Sequence, residues 1–285
     1  MRRHELIDRE WELLAPLIPR AATGRPRVED RQVINGMVYK IRTGISWRDL
    51  PERYGPWKTV YTRFRRYAID GTFTRALQQI QARADAAGDI DWLVQIDSTI
   101  VRAHQHAAAT GRKGGCTGDE PDDHALGRSR GGLTTKVHLA CDGQGRPLAF
   151  LLSPGQRHDS ASARSLLERI RVPRLGLGRP RCRPDHVIAD KAYSSRGFRA
   201  YLRRRGIAHT IPEKQDQQRH RHNRGRHGGR PPRFDRETYR RRNTVERCFN
   251  QLKGFRGLAT RYDKTATSYE AAVTLTSFLL WARSV

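Results

Sequence analysis

The stretch that decides the reading of this chain is YRRRNTVERCFNQLK, running from Tyr239 to Lys253. As an α-helix advancing about 100° per residue, it puts Tyr239, Arg242, Glu246 and Lys253 within roughly 60° of one face. That face carries one carboxylate, two cations and a phenol. A lone carboxylate among cations suits a place where a divalent metal meets a phosphate. The competing reading is a solvated charged helix. Four residue types at fixed offsets argue against it, as do two aspartates upstream.

Those aspartates end short apolar runs. Leu93-Val94-Gln95-Ile96-Asp97 and His186-Val187-Ile188-Ala189-Asp190 each read as a strand buried in mid-sheet and closed by a carboxylate. At the C-terminal ends of their strands, Asp97 and Asp190 are expected where α/β sites form. Three carboxylates brought together repel, and burial raises their pKa values. Divalent cations remove that penalty, and oxygen-only ligands favour Mg²⁺ or Mn²⁺ over zinc. Two such ions can activate a water or hydroxyl and stabilise the leaving oxygen of a phosphodiester.

Charge points to the same kind of substrate. The 285 residues hold 55 Lys+Arg against 29 Asp+Glu, a net +26 with a pI near 11.1. Such a field attracts polyanions, and arginine grips phosphate through two donors at once. Nucleic acid is the expected partner, with a membrane surface or an acidic protein as the alternative. With 36% hydrophobic residues the chain can bury a core. Cys116, Cys141, Cys182 and Cys248 form no Cys-x-x-Cys pair, which disfavours a zinc ribbon. No secretory leader is visible in MRRHELIDREWELL. The apolar stretch from Ala271 to Ala282 is too short to span a bilayer and reads as a buried helix. Reduced thiols in a cytoplasm, with no membrane partner, are the expectation.

The first ~85 residues have helical periods: Trp11, Leu14, Ile18; then Val33, Met37, Ile41 up to a Gly44 cap; then Trp57, Val60, Tyr61, Phe64. Lys58, Thr62, Arg63, Arg65 and Arg66 read as lying off the last stripe. A helix, a turn and a helix with a basic outer face fit helix-turn-helix DNA binding, with Lys58, Thr62, Arg65 and Arg66 as candidate contacts. An ordinary helical bundle is the alternative. From residue 91 the order becomes strand, polar loop (Thr110 to Gly132), hairpin around Gly143-Gln144-Gly145, helix capped by Asp159, strand, helix, strand, helix. That is a mixed α/β sheet flanked by helices. Residues 213–236, rich in Arg, His, Gly and Pro, read as a mobile basic insertion. The expected division is a helical DNA-binding domain over 1–88 and a catalytic domain over 89–285.

The chain resembles bacterial insertion-sequence transposases of the DDE (Asp-Asp-Glu) class, in the group with the Tyr-x2-Arg-x3-Glu-x6-Lys signature. The matching stretches are WRDLPERYGPWKTVYTRF, QIDSTIVRAHQHAA around Asp97, TTKVHLACDGQGRPLAFLLSPGQRHDS, IADKAY around Asp190, and NTVERCFNQLKGFRGLATRYDK. The resemblance implies a ribonuclease H-like catalytic core with two Mg²⁺ ions (Mn²⁺ as a substitute). It implies Asp97, Asp190 and Glu246 as catalytic metal ligands, and Tyr239, Arg242 and Lys253 as groups that hold DNA near the scissile phosphate. It implies cleavage at the terminal inverted repeats of the chain's own element, and joining of the 3′-OH ends to target DNA. Joining two ends implies a homo-oligomer, at least a dimer on DNA. The rivals are a metal-dependent nuclease of the same fold without strand transfer, and a non-catalytic DNA-binding regulator. A tyrosine recombinase would need no carboxylate trio.

Overall fold

The computed structural model describes residues 4–19, 27–108, 124–129 and 131–284. Cys116 and most of the expected polar loop lie outside them. The chain begins with helices α1 (Asp8–Leu14), α2 (Asp30–Thr43), α3 (Trp57–Ile69) and α4 (Thr72–Ala86). Gly44 ends α2 in the left-handed region at φ 73°, returning its N–H to the Lys40 carbonyl at 2.8 Å as such caps do.

The helical region is as read, but the link between its second and third helices is long. Residues 44–56 join α2 to α3 through two 3-10 turns, Trp47–Asp49 and Glu52–Tyr54. That link is longer than the three or four residues of a helix-turn-helix. On α3, Val60, Phe64 and Tyr67 are buried. Arg63, one turn from Val60 and Tyr67, shares their buried face rather than the outer one. It donates to Asp30 at 3.0 Å, which neutralises it there. Tyr61, placed by spacing on the stripe, is instead 39% exposed.

The sheet follows: β1 (Leu93–Ala103), β2 (Gly127–Ser129), β3 (Gly132–Cys141), β4 (Pro147–Pro154), helix α5 (Asp159–Glu168), β5 (His186–Ala189), α6 (Arg196–Arg204) and β6 (Ala208–Thr210). After them come α7 (Gln215–Asn223), α8 (Arg236–Arg240), α9 (Asn243–Lys253), α10 (Arg256–Ala259), the short β7 (Thr260–Arg261) and α11 (Ala266–Ser284). The main order is β4–β3–β1–β5–β6. β1, β3 and β4 pair antiparallel, while β5 and β6 run parallel to β1. This is the ribonuclease H-like sheet. β2 extends the β3 pairing and β7 pairs with the end of β1.

α11 is buried along almost its whole length and packs against α3, α4 and β4. One hydrophobic core runs from Leu6 through the sheet to Ala282, so the N-terminal helices and the sheet share their interior. Among the described residues no helix is long and apolar enough to cross a membrane. Cys141, Cys182 and Cys248 are free thiols.

Four local expectations are corrected. β1 does not stop at Asp97. It continues to Ala103 because Ser98 to Arg102 stay paired with β3. The basic stretch 213–236 contains helix α7, built from residues with fair helix propensity but without a buried face. Polar docking holds it instead: the Gln217 side chain accepts from Ser194 Oγ at 2.7 Å and donates to the Ser194 carbonyl. The signature does not form one helix, since Arg241 and Arg242 make a tight turn between α8 and α9. His158, not Asp159, is the N-cap of α5; the Asp159 carboxylate is engaged elsewhere.

Candidate active site

β1 presents alternate side chains to one face, as any strand does. Gln95, Asp97 and Thr99 occupy successive positions on that face, and each meets the Tyr239–Lys253 segment. Fully buried Gln95 accepts the Val245 N–H at 3.1 Å, which seats the first turn of α9. Asp97 Oδ2 accepts from Arg242 Nη1 at 3.2 Å. Thr99 Oγ1 accepts from Lys253 Nζ at 2.6 Å. The strand therefore fixes both ends of α9 and the residue just before Glu246.

The parallel neighbour supplies the second carboxylate. Ile96 pairs with Ala189, so Asp97 and Asp190 are the next residues along adjacent strands. β5 ends there, and Asp190 turns to accept the Ala192 N–H at 2.8 Å. Asp97 Oδ1 accepts the Ser98 N–H at 2.8 Å. Arg242 closes the group, its second nitrogen donating to Glu246 Oε1. Tyr239, against the Phe234 ring at 5.1 Å, feels the charges of Arg242, Asp190 and Asp97. The turn between α8 and α9 thus preserves the shared face that a single helix would have given.

Electrostatics mark Asp97 as the strained member. Burial lifts its pKa from 3.8 to about 6; Asp190 and Glu246 add to the rise, while the Ser98 N–H and Arg242 oppose it. Burial also works against the Arg242 guanidinium, but Asp97 and Glu246 outweigh it and hold its pKa above the ordinary value. Burial pushes the Tyr239 phenol up, so it stays a proton donor at neutral pH.

As placed, no three His, Cys, Asp or Glu side chains among the described residues converge as an ion-binding group. The Arg242 guanidinium stands between Asp97 and Glu246. The donor chemistry nevertheless fits a hard divalent ion: the carboxylates are oxygen donors only, and their mutual repulsion is only partly offset by one guanidinium.

A network behind Asp97 escaped the sequence reading. Ser98 Oγ and Lys136 Nζ both donate to Asp159 Oδ1 at 2.7 Å, and Lys136 also reaches the Arg157 carbonyl. Next on the same face of β3, buried His138 sits 2.8 Å from Ser153 Oγ; burial lowers its pKa to about 4. The alternation of Lys136 and His138 in TTKVH was the available signal. Among the N-terminal candidates, Lys58, Thr62 and Arg66 are exposed. Arg65 instead donates to Thr265 at 2.9 Å and Ser268 at 2.7 Å; it ties α3 to α11, because it points along the helix toward the packed side.

A family model described as "Transposase DDE domain" matches residues 90–281, the sheet and every residue of this site. The chain belongs to the DDE transposase family. A second model, "Putative transposase of IS4/5 family", matches residues 6–77 of the transposase. Its relatives include "Putative transposase for insertion sequence element IS6501" of Brucella ovis, 32% identical over 53% of this chain and 100% of that one. The corresponding protein for IS402 of Burkholderia cepacia is 31% identical, covering 56% of this chain and 65% of that one. Among solved structures, a Mos1 transposase paired-end complex aligns over 93% of this transposase and 82% of its own chain, at 13% identity and TM-score 0.26. Membership of the family implies dependence on a divalent metal.

Proposed function

We propose that this transposase cleaves phosphodiester bonds at the ends of its own insertion sequence and joins the freed 3′-OH ends to target DNA. The supporting observation is the face of β1, where Gln95, Asp97 and Thr99 gather Glu246, Arg242 and Lys253 beside Asp190. Asp97, Asp190 and Glu246 would hold the divalent ions, Mg²⁺ or Mn²⁺, two per site. When bound, such ions supply Lewis acidity at the phosphate and an activated water or hydroxyl.

The chain's own residues do the rest. Arg242, released from Asp97 and Glu246, turns its fork of donors toward a phosphate oxygen. Lys253, held at Thr99, places a second positive charge at the same end of the strand. The protonated Tyr239 hydroxyl donates a hydrogen bond to the DNA backbone. Water attacks first, and the 3′-OH attacks the target next. No protein nucleophile is needed, and Tyr239 has a raised pKa unsuited to that role. Double-stranded DNA, both terminal repeats and target, is the substrate. Two ends must meet, so a homo-oligomer of at least two subunits acts on it. A bacterial cytoplasm beside the nucleoid is the matching location.

The test is cleavage of a duplex carrying the element's end by the wild type and by Asp97→Asn, Asp190→Asn and Glu246→Gln. Each variant should lose Mg²⁺-dependent cleavage while still binding DNA. A fully active Glu246→Gln would remove the third ligand from the assignment. Cleavage without joining on a target-containing assay would favour the nuclease reading over the transposase.

A further inference from the structure

Beyond the carboxylates, α6 and α7 face one another across a surface groove. Arg196, Arg199, Arg203, Arg221, Arg224 and Arg230 line it. The one acid among the lining residues, Glu213, is engaged by Arg221. α7 buries none of its residues, so the helix is not there to complete the core.

Arg199 makes this more than a solvated basic face. It is only 6% exposed. Its Nη2 donates to Ser194 Oγ at 3.0 Å and the Ile211 carbonyl at 2.8 Å. Its Nη1 is buried without a hydrogen-bond partner among the described residues. Burial lowers its pKa, Glu213 raises it and Arg203 lowers it further. A buried guanidinium with an unmet donor carries a penalty that an acceptor or a negative charge brought to the groove relieves.

The start of α7 also borders the catalytic face. Lys214, Gln215 and Asp216 at the start of α7 line one depression together with Asp190, Lys191 and Ala192. Gln217 pins α7 to Ser194, just past Asp190.

We propose that the α6–α7 groove is a second DNA-backbone site, binding phosphates of the duplex beyond the scissile bond on the Asp190 side. This deepens the proposed function and rests on the chain acting on DNA. The arginines supply bidentate donors to phosphate, and Arg199 forms the floor of the site.

The test uses the full chain, a duplex of random sequence and fluorescence anisotropy at several salt concentrations, without divalent metal. The variant Arg203→Glu/Arg224→Glu/Arg230→Glu changes only exposed positions. It should raise Kd about tenfold or more, and lower the log–log salt slope by roughly 2.7, at about 0.9 per phosphate contact. A control with the same charge change elsewhere, Arg9→Glu/Arg83→Glu/Arg179→Glu, should lose markedly less. Equal losses in the two would assign the effect to the overall field and overturn the site, as would an unchanged Kd in the groove variant. If the reversed variant melts early, the Arg→Gln version at the same three positions carries the test with the same readout. Cleavage by the wild type in Mg²⁺ is scored separately. A chain that binds through the groove but never cleaves would refute the proposed activity and leave this site standing.

Discussion

Arg242 donates to Asp97 at 3.2 Å and to Glu246 at the same time, so one guanidinium fills the space between two carboxylates proposed to hold metal. It is the local countercharge of the metal-free site. An entering ion must displace it, and the displaced arginine is then free for phosphate.

Arg242→Ala should therefore weaken the metal-free protein, by about 1–3 kcal/mol, since its carboxylates lose a charged hydrogen-bond partner. Ca²⁺ or Mg²⁺ should then stabilise the variant more than the wild type, because binding no longer has to break the pairs. Thermal melting with EDTA and with added metal measures both. A variant whose metal-induced shift equals that of the wild type would show that Arg242 does not compete with the ion.

Asp97 makes stability depend on pH in a stated direction. Its folded pKa of about 6 lies above the ordinary 3.8, so the folded state binds this proton more tightly than the unfolded chain. Stability from this group falls as pH rises from about 4 to 6, and the loss is complete above that, about 3 kcal/mol in all. Asp97→Asn removes the charge. In EDTA it should be more stable than the wild type at pH 7, by up to about 3 kcal/mol, and level with it near pH 4. Denaturant unfolding at both pH values tests this; parallel pH profiles would contradict it. Below pH 6 metal affinity should also fall, because the proton competes with the ion.

The sequence revealed the carboxylates and hid what holds them. Asp97 and Asp190 were legible because each ends a short apolar run, and Glu246 because it stands at fixed offsets from Tyr239, Arg242 and Lys253. Gln95 and Thr99 were not, since their partners stand some 150 residues away in sequence and depend on how α9 docks on β1. Arg63 and Arg65 misled for a related reason. Local charge suggests an outward face, yet Asp30 and the α11 hydroxyls take them inward. α7 was missed because it has no apolar period and is held by polar contacts, those of Gln217 at its start and the Arg221–Glu213 pair. The tight turn at Arg241 and Arg242 is likewise invisible to a count of helical spacing.

Asp159 receives both Ser98 and Lys136, and Lys136 is only 8% exposed. Asp159→Ala leaves that buried ammonium without its carboxylate, a change that costs about 3–5 kcal/mol when a buried pair loses one member. Lys136→Met/Asp159→Leu, which removes both charges, should recover much of that loss. Chemical denaturation of the single and double variants decides. A single variant within about 0.5 kcal/mol of the wild type would mean the pair contributes little to the fold. The same network abuts Asp97 through Ser98, so Asp159→Asn should also lower single-turnover cleavage while leaving duplex affinity unchanged.

Lys253 gives the sharpest test of the signature. Its Nζ lies 2.6 Å from Thr99 Oγ1, two residues along the strand from Asp97. If that cation meets a phosphate during the chemical step, Lys253→Ala should reduce the single-turnover rate by the value of one charged hydrogen bond. That is about 1.5–3 kcal/mol, or roughly 10- to 150-fold. The loss should be far smaller than for Asp97→Asn. Thr99→Val separates the two roles of the lysine. It removes the anchor but keeps the charge, so it should cost less than Lys253→Ala and leave the melting temperature within a few degrees. A merely structural lysine predicts the reverse: equal, small rate losses in both variants, each matched by a fall in stability. Single-turnover rates on a duplex carrying the element's end, read beside thermal unfolding, distinguish these patterns. A near-wild-type rate in Lys253→Ala would confine the chemistry of the segment to Glu246 and Arg242.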